Sequence, residues 1–206
     1  MLHSRDDPGI GLAFRVIRRR PTTYPVTRNN APGQPGRVRH ATRRPGCRRS
    51  ATSRSASMTQ AVRFYIERLG FIVSDRYANR GIFMRCAPVG NHHHVSFMNA
   101  RQPGARFNQL AFKVRDIHEL IGGGQHLDAL GWKTFAGPGR HLISSACFWH
   151  FVSLVGGAWV YAVAEDMVDD AWETQGFDAV SHIFSEWTSG LEKSDGTLRG
   201  PISGSK

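Results

Sequence analysis

Apolar positions along this chain become regular only after Met58. From Thr59 to Leu69 they return at helical spacing, with Val62, Ile66 and Leu69 on one face, and Gly70 ends the run. Phe71–Tyr77, Gly81–Cys86 and His92–Met98 then read as strands, the last two separated by the turn residues Pro88, Gly90 and Asn91. The same order then returns. Phe107–Val114 reads as a strand, and Asp116 as the N-cap of a helix carrying Ile117, Leu120, Ile121, Leu127 and Leu130. Gly131 closes that helix and Trp132–Ala136 opens the next strand. Ser145–Val152 and Gly157–Val163 form a hairpin across Ser153–Gly156.

Leu69-Gly70-Phe71 and Leu130-Gly131-Trp132 both mark a helix passing into a strand, 61 residues apart. A repeat of this size predicts an α+β fold of two paired β-α-β-β-β modules whose curved sheets face one cavity. The second copy has a leading strand, Phe107–Val114. The first should have one just before Thr59, but Cys47–Ser57 is poor strand sequence, so the first module is expected to lack its opening strand. A missing strand exposes a sheet edge, which leaves borrowing from a second copy, and so a homo-oligomer, open.

The domain boundaries follow from the pattern. Residues 1–57 are expected to be disordered, 58–178 to form the paired-module domain (modules 58–100 and 106–165), and 179–206 to form an extension. That extension starts with Val180, Ile183, Phe184 and Trp187, expected to pack on the body, and ends in a flexible Ser/Gly/Lys-rich tail over Ser189–Lys206.

Charge sharpens the first boundary. Residues 1–57 hold 13 Arg, no Lys, and only Asp6 and Asp7 as acids, which accounts for the whole net charge of +11. The remainder is balanced, with 14 basic and 14 acidic residues. The segment also carries Pro8, Pro21, Pro25, Pro32, Pro35 and Pro45, and periodicity is limited to a short apolar stretch at Ile10–Ile17. It admits three readings: a basic nucleic-acid arm, an Arg-rich and acid-poor transit peptide, or non-native sequence upstream of a natural start at Met58. The third is preferred, and nucleic acid is not an expected partner. Three cysteines without CxxC spacing fit a reducing compartment, and no apolar run approaches the roughly 20 residues that span a bilayer. A cytoplasmic location, with no membrane partner, is expected.

Phe64-Tyr65…Leu69-Gly70-Phe71 resembles the opening of the vicinal-oxygen-chelate superfamily, which includes glyoxalases, bleomycin-resistance proteins and extradiol dioxygenases. Further stretches resemble its extradiol ring-cleavage (catechol 2,3-dioxygenase-like) branch. They are Asn91-His92-His93-His94, Phe107-Asn108-Gln109-Leu110-Ala111-Phe112, Gly137-Pro138-Gly139-Arg140-His141, and Phe148-Trp149-His150-Phe151 leading into Gly156-Gly157-Ala158-Trp159-Val160-Tyr161. Enzymes of that branch hold Fe(II), sometimes Mn(II), with two His and one Glu, leaving positions for an aromatic diol and O2.

Carried over position by position, the ligand set fails. The first His would fall around Arg48–Ser50, where none stands; the second is Gln109; the Glu is Val160. The resemblance therefore implies no metal, or weak metal, here. The surrounding residues survive. By resemblance His93, or His92, matches a proton-shuttling His, His141 a His that contacts substrate hydroxyls, and His150 the place of a substrate-bonding Tyr. His93, His141 and His150 are thus the candidate catalytic residues, and His92, Arg140, Phe148 and Tyr161 the candidate substrate contacts. A neutral imidazole titrating near pH 6.5 suits proton transfer. Strand alternation would send His92 and His94 to one face and His93 to the other. A metal set rebuilt from His150, His141 and His93, with Glu165 or Asp166 as carboxylate, is the alternative. His118 and His126 are expected to be solvated, and Gly122-Gly123-Gly124 lacks the Lys-Ser/Thr of a phosphate loop.

The function so implied is extradiol cleavage of a small aromatic compound, impaired at the ligand positions. The alternatives are a metal-free protein that holds an aromatic or hydrophobic ligand, in the manner of bleomycin-resistance proteins, and an inactive truncated product.

Overall fold

The computed structural model describes residues 2–5, 11–14, 49–55, 58–99, 106–178 and 185–189, with side chains for all of these except 49–55 and 106. The first module contains β3 (Arg49–Ser55), α1 (Met58–Leu69), β4 (Ile72–Tyr77), β5 (Gly81–Arg85), the short β6 (Gly90–Asn91) and β7 (Val95–Asn99). The second contains β8 (Arg106–Lys113), α2 (Ile117–Ala129), β9 (Thr134–Arg140), β10 (Cys147–Val152) and β11 (Ala158–Val163). Ahead of them stand β1 (Leu2–Arg5) and β2 (Gly11–Phe14). After them come β12 (Met167–Val168), β13 (Gln175–Phe177) and β14 (Trp187–Thr188).

One ten-stranded sheet carries both modules, in the order β13-β4-β5-β7-β3-β8-β11-β10-β9-β14. The opening strand of each module runs parallel to its last strand, β3 with β7 and β8 with β11. The other neighbours within each module are antiparallel. β3 and β8 meet antiparallel at the centre, with Thr52 opposite Gln109 and Ser50 opposite Ala111. The duplicated module read from the sequence is therefore present, strand for strand.

One expectation is overturned. The first module does not lack its opening strand, because Arg49–Ser55 occupies that place, hydrogen-bonded to β7 on one side and β8 on the other. Its sequence, RSATSRS, has few of the residues that favour strands. Two flanking ladders fix its conformation instead, so intrinsic preference counts for little. The domain accordingly starts upstream of Met58. Of residues 1–57, the described stretches 2–5, 11–14 and 49–55 are strands: β1 and β2 pair antiparallel, and Leu12 packs against the first module's core, while the rest of the segment expected to be disordered lies outside the described residues.

The helices pack as amphipathic elements, with shifts from the expected faces. In α1 the buried residues are Ala61, Val62 and Tyr65, while Ile66 is exposed. Tyr65 meets Phe97 edge-on at 4.9 Å. In α2, Asp116 caps the N-terminus by accepting from the Glu119 N–H at 2.9 Å. Leu120 is fully buried, whereas Ile117 and Leu130 are exposed. Gly122, Gly123 and Gly124 are buried and have a packing role. A Cβ at Gly124 would stand 2.1 Å from the Trp149 ring, and one at Gly123 would stand 3.0 Å from Tyr161. Their lack of side chains lets α2 lie directly on β10 and β11.

The strand limits also move. β9 extends through Gly137–Arg140, which the Gly-Pro pattern suggests is a loop, and β7 begins only at Val95, after the His run. In the C-terminal extension, β14 pairs with the end of β9, and Trp187 is half-exposed. Val180, Ile183 and Phe184 fall outside the described residues. Among the described residues no helix is long and apolar enough to cross a membrane.

Candidate functional site

The strands of the second module open onto a cleft. Gln109 and Ala111 of β8 and Val160 and Ala162 of β11 form its floor. Strand alternation puts each pair on one face, and the parallel register sets Val160 beside Ala111 and Gln109 beside Ala158. Asn91, His93, His94, Lys113, His141 and Glu165 form the rim. The cleft measures about 570 Å3, counting its open mouth.

Chain turns aim the rim residues. β11 ends at Ala164, whose φ of 56° reverses the backbone and delivers Glu165 to the His run. Ser144 and Ser145, with φ of 74° and 53°, turn the chain opposite. Their partner is Asp166: its N–H donates to the Ser144 carbonyl at 2.9 Å, and its carboxylate accepts from Ser145 Oγ at 2.9 Å. Three non-glycine residues with positive φ around one mouth represent strain held in place by its surroundings.

His92 is fully buried. Its Nε2 lies 2.7 Å from Asp75 Oδ2, and its Nδ1 lies 3.0 Å from His93 Nδ1. Asp75, on β4, also accepts from the Gln175 N–H at 2.9 Å. Ser74 Oγ donates to the His92 carbonyl, and Arg85 in turn donates to Ser74 Oγ at 3.1 Å. Trp172 closes over the imidazole, with ring centroids 5.5 Å apart, and donates from Nε1 to the Ser74 carbonyl at 3.1 Å. His92 does not line the cleft, so its expected role as a substrate contact is not supported by this placement. The alternation forecast for the His run fails because residues 92–94 lie outside any strand.

His93 does reach the cleft. Glu165 Oε1 lies 3.2 Å from both its Nδ1 and its backbone N–H. Burial, with His92, His141 and His94 nearby, holds this imidazole well below its usual range, so it stands neutral.

His141 is the second expected residue on the rim. Its ring stacks on Phe148 at 3.9 Å and stands 5.7 Å from the His150 ring. Phe148 and His150 lie beneath it, both buried and neither lining the cleft. His150 is paired across the ladder with Val160 and sits on the same face, one strand further from the opening. Burial first, and His141 second, keep it neutral, as a core imidazole. Two expected contacts lie elsewhere. Tyr161 points to the α2 side of the sheet, against Gly123, and burial followed by Glu119 pushes its phenol upward. Arg140 ends β9 and pairs with Glu186 at 3.3 Å. His118 and His126 are exposed, as expected.

At the positions where the resemblance places metal ligands, side-chain chemistry decides. Gln109 offers one neutral amide oxygen, and Val160, 2% exposed, has no donor atom. No His occurs in Arg49–Ser55. These residues do not fit Fe(II), which needs imidazole and carboxylate donors. The sequence reading missed Asp75, Asn91, Lys113 and Ser144. For Asp75 there was one signal, an acid in an otherwise core-facing strand.

Residues 50–151 match the model of the Glyoxalase/Bleomycin resistance protein/Dioxygenase superfamily. Among characterised proteins, the chain is 26% identical over 178 residues to Metapyrocatechase 2 of Cupriavidus necator, covering 81% of this chain and 55% of that protein. A Mn(II)-bound glyoxalase from Novosphingobium aromaticivorans superposes with a TM-score of 0.67 at 21% identity, covering 82% of this chain and 56% of that one. The 2,2',3-trihydroxybiphenyl 1,2-dioxygenase of Sphingomonas wittichii strain RW1 gives a TM-score of 0.60 at 18% identity, over 68% and 48% of the two chains. This chain spans about half the length of the relatives it matches.

Proposed function

Since the chain belongs to the glyoxalase/bleomycin resistance protein/dioxygenase superfamily, we propose that it descends from extradiol ring-cleavage dioxygenases and retains their cleft for a small aromatic ligand bearing oxygen substituents. Ring cleavage is impaired in this reading. The observation that carries it is Val160, a hydrocarbon side chain in the floor where the family's anionic ligand would stand. The match to Metapyrocatechase 2 and the fold likeness to aromatic dioxygenases support the ligand class.

The residues divide the work. Ala111, Val160 and Ala162 offer an apolar floor to an aromatic face. Lys113, whose Nζ donates to Asn91 Oδ1 at 3.3 Å, places positive charge at the rim, where an ionised hydroxyl would be favoured. Neutral His93 offers a ring nitrogen that accepts a hydrogen bond from a ligand hydroxyl. A metal-free ligand-holding protein is the second reading, and the same Val160 favours it.

Titration calorimetry of the full chain with catechol, followed by incubation with Fe(II) in air, tests the proposal. Saturable binding without yellow ring-opened product above the blank is expected. Absence of binding would overturn the ligand class, and rapid product formation would overturn the impairment.

A further inference from the structure

Three potential ligand atoms converge at the cleft rim, away from the family's ligand positions. His92 Nδ1, His93 Nδ1 and a Glu165 carboxylate oxygen all lie within 4.8 Å of one another. Two edges of this triangle measure 3.0 Å and 3.2 Å. Around an ion with bonds of about 2.1 Å, neighbouring ligand atoms stand about 3.0 Å apart at octahedral angles and about 3.4 Å at tetrahedral ones. Both edges therefore match the spacing of a coordination shell.

Protonation decides what can join these atoms. The 2.7 Å contact with Asp75 favours the His92 tautomer with its proton on Nε2, in which Nδ1 presents a lone pair. That lone pair faces His93 Nδ1, and both lie beside a carboxylate. His93 Nδ1 either carries that ring's own proton toward one neighbour or presents a third lone pair. Either a proton bridges the three atoms or a cation does. The surroundings favour the cation. A ligating His whose other nitrogen donates to a carboxylate is oriented and made more basic, and Asp75 supplies that support from a buried position. Ser74 and Trp172 fix the same imidazole from two further sides.

We infer that His92, His93 and Glu165 form a binding site for a divalent first-row transition ion, displaced from the floor of the cleft to its rim. Two imidazoles and one carboxylate suit ions from Mn(II) to Zn(II). His93 and Glu165 line the cleft, so the remaining coordination positions face it and accept water or a ligand oxygen. This goes beyond the ring-cleavage reading and does not rest on it. The rebuilt set expected from the sequence, centred on His150, is replaced: that ring is buried under His141, away from the rim.

Chelator-treated full chain without a polyhistidine tag would be titrated with Zn(II) by calorimetry and with Co(II) by visible absorption, no aromatic ligand present. One equivalent is expected, with a d–d band in the Co(II) form. Glu165→Gln and His93→Gln should each weaken binding beyond the roughly 10–100-fold that an outer-shell change costs, and Asp75→Asn should fall within that range. Circular dichroism checks that each variant folds. Should His93→Gln unfold, Glu165→Gln and the altered Co(II) band decide alone. No stoichiometric binding by the wild-type chain would mean that a shared proton holds the cluster, and the inference fails. Undiminished binding in folded Glu165→Gln, or its loss in Gln109→Leu, would overturn the assignment as well.

Discussion

The two modules repeat a ladder but not an interior. Counted from the glycine that opens each β4-type strand, Asp75 in the first module and Ala136 in the second hold the same place, 61 residues apart. Asp75 anchors a buried polar network of His92, Ser74 and Arg85. Ala136 belongs to an apolar cluster with Ala111, Phe148 and Val160. Backbone pairing thus persisted between the copies while polarity diverged. A buried polar network supports the first module's edge of the cleft, whereas Ala111, Val160 and Ala162 of the second module give its floor hydrocarbon and Lys113, His141 and Glu165 add polar groups at the rim. A shared fold therefore says little about which half of it can do chemistry.

The largest effect tests whether the two halves are one structure. Starting the chain at Met58 removes β3, the strand that joins β7 to β8. Loss of cooperative melting and appearance of aggregates in sedimentation are expected, because two long edges are bared. A monomer with an unchanged melting curve would show that the modules need no shared strand.

Exchanging the polarity of the equivalent positions comes next. Asp75→Ala leaves His92 and the Gln175 N–H without their buried partner and should cost about 3 kcal/mol in urea denaturation. Ala136→Asp places a carboxyl beside Phe148 and Val160 and should cost a similar amount, about 3 kcal/mol. If either change is neutral, the division between a polar and an apolar module is not a stability constraint.

A smaller effect is read from pH, to which His93 and the buried His150 contribute, one in each module. His150, in the second module, is held below its ordinary value by burial and then by His141. The unfolded chain therefore takes up its proton first as pH falls, and stability declines below about pH 6.5 until the folded group protonates. Melting temperatures at pH 5.5 and 7.5 should differ in that direction, and His150→Leu should reduce the difference. The smallest effect concerns the helices. α2 is capped by Asp116, whereas α1 has no acid in its first turn. Asp116→Ala should cost about 1 kcal/mol, read from chemical denaturation.

Local pattern made much of this architecture legible. The paired Leu-Gly-aromatic signals fixed the repeat, and helical spacing located both helices. β3 was illegible because its strand conformation comes from neighbours distant in sequence. Arg140 looked like a loop residue for a related reason: Gly137 and Pro138 suggest a turn, yet Gly139 and Arg140 pair with both β10 and β14. At the site, His93 and His141 were legible through the resemblance and do line the cleft. Asp75 stands 17 residues from His92, and Glu165 stands 72 from His93, separations at which no periodicity links them.

The segment after β11 that crosses back over the first module has a kinetic consequence. Its hydrogen bonds join residues about a hundred positions apart, Thr174 to Val73, Gln175 to Asp75 and Trp172 to Ser74. Closing such loops costs chain entropy before any contact repays it, so these bonds form late in folding. Glu165 meets His93 only as that segment closes. The histidine cluster is therefore expected to be completed late in folding, and a chain stalled with both modules formed but this segment undocked would have its helices and most of its sheet yet lack the cluster.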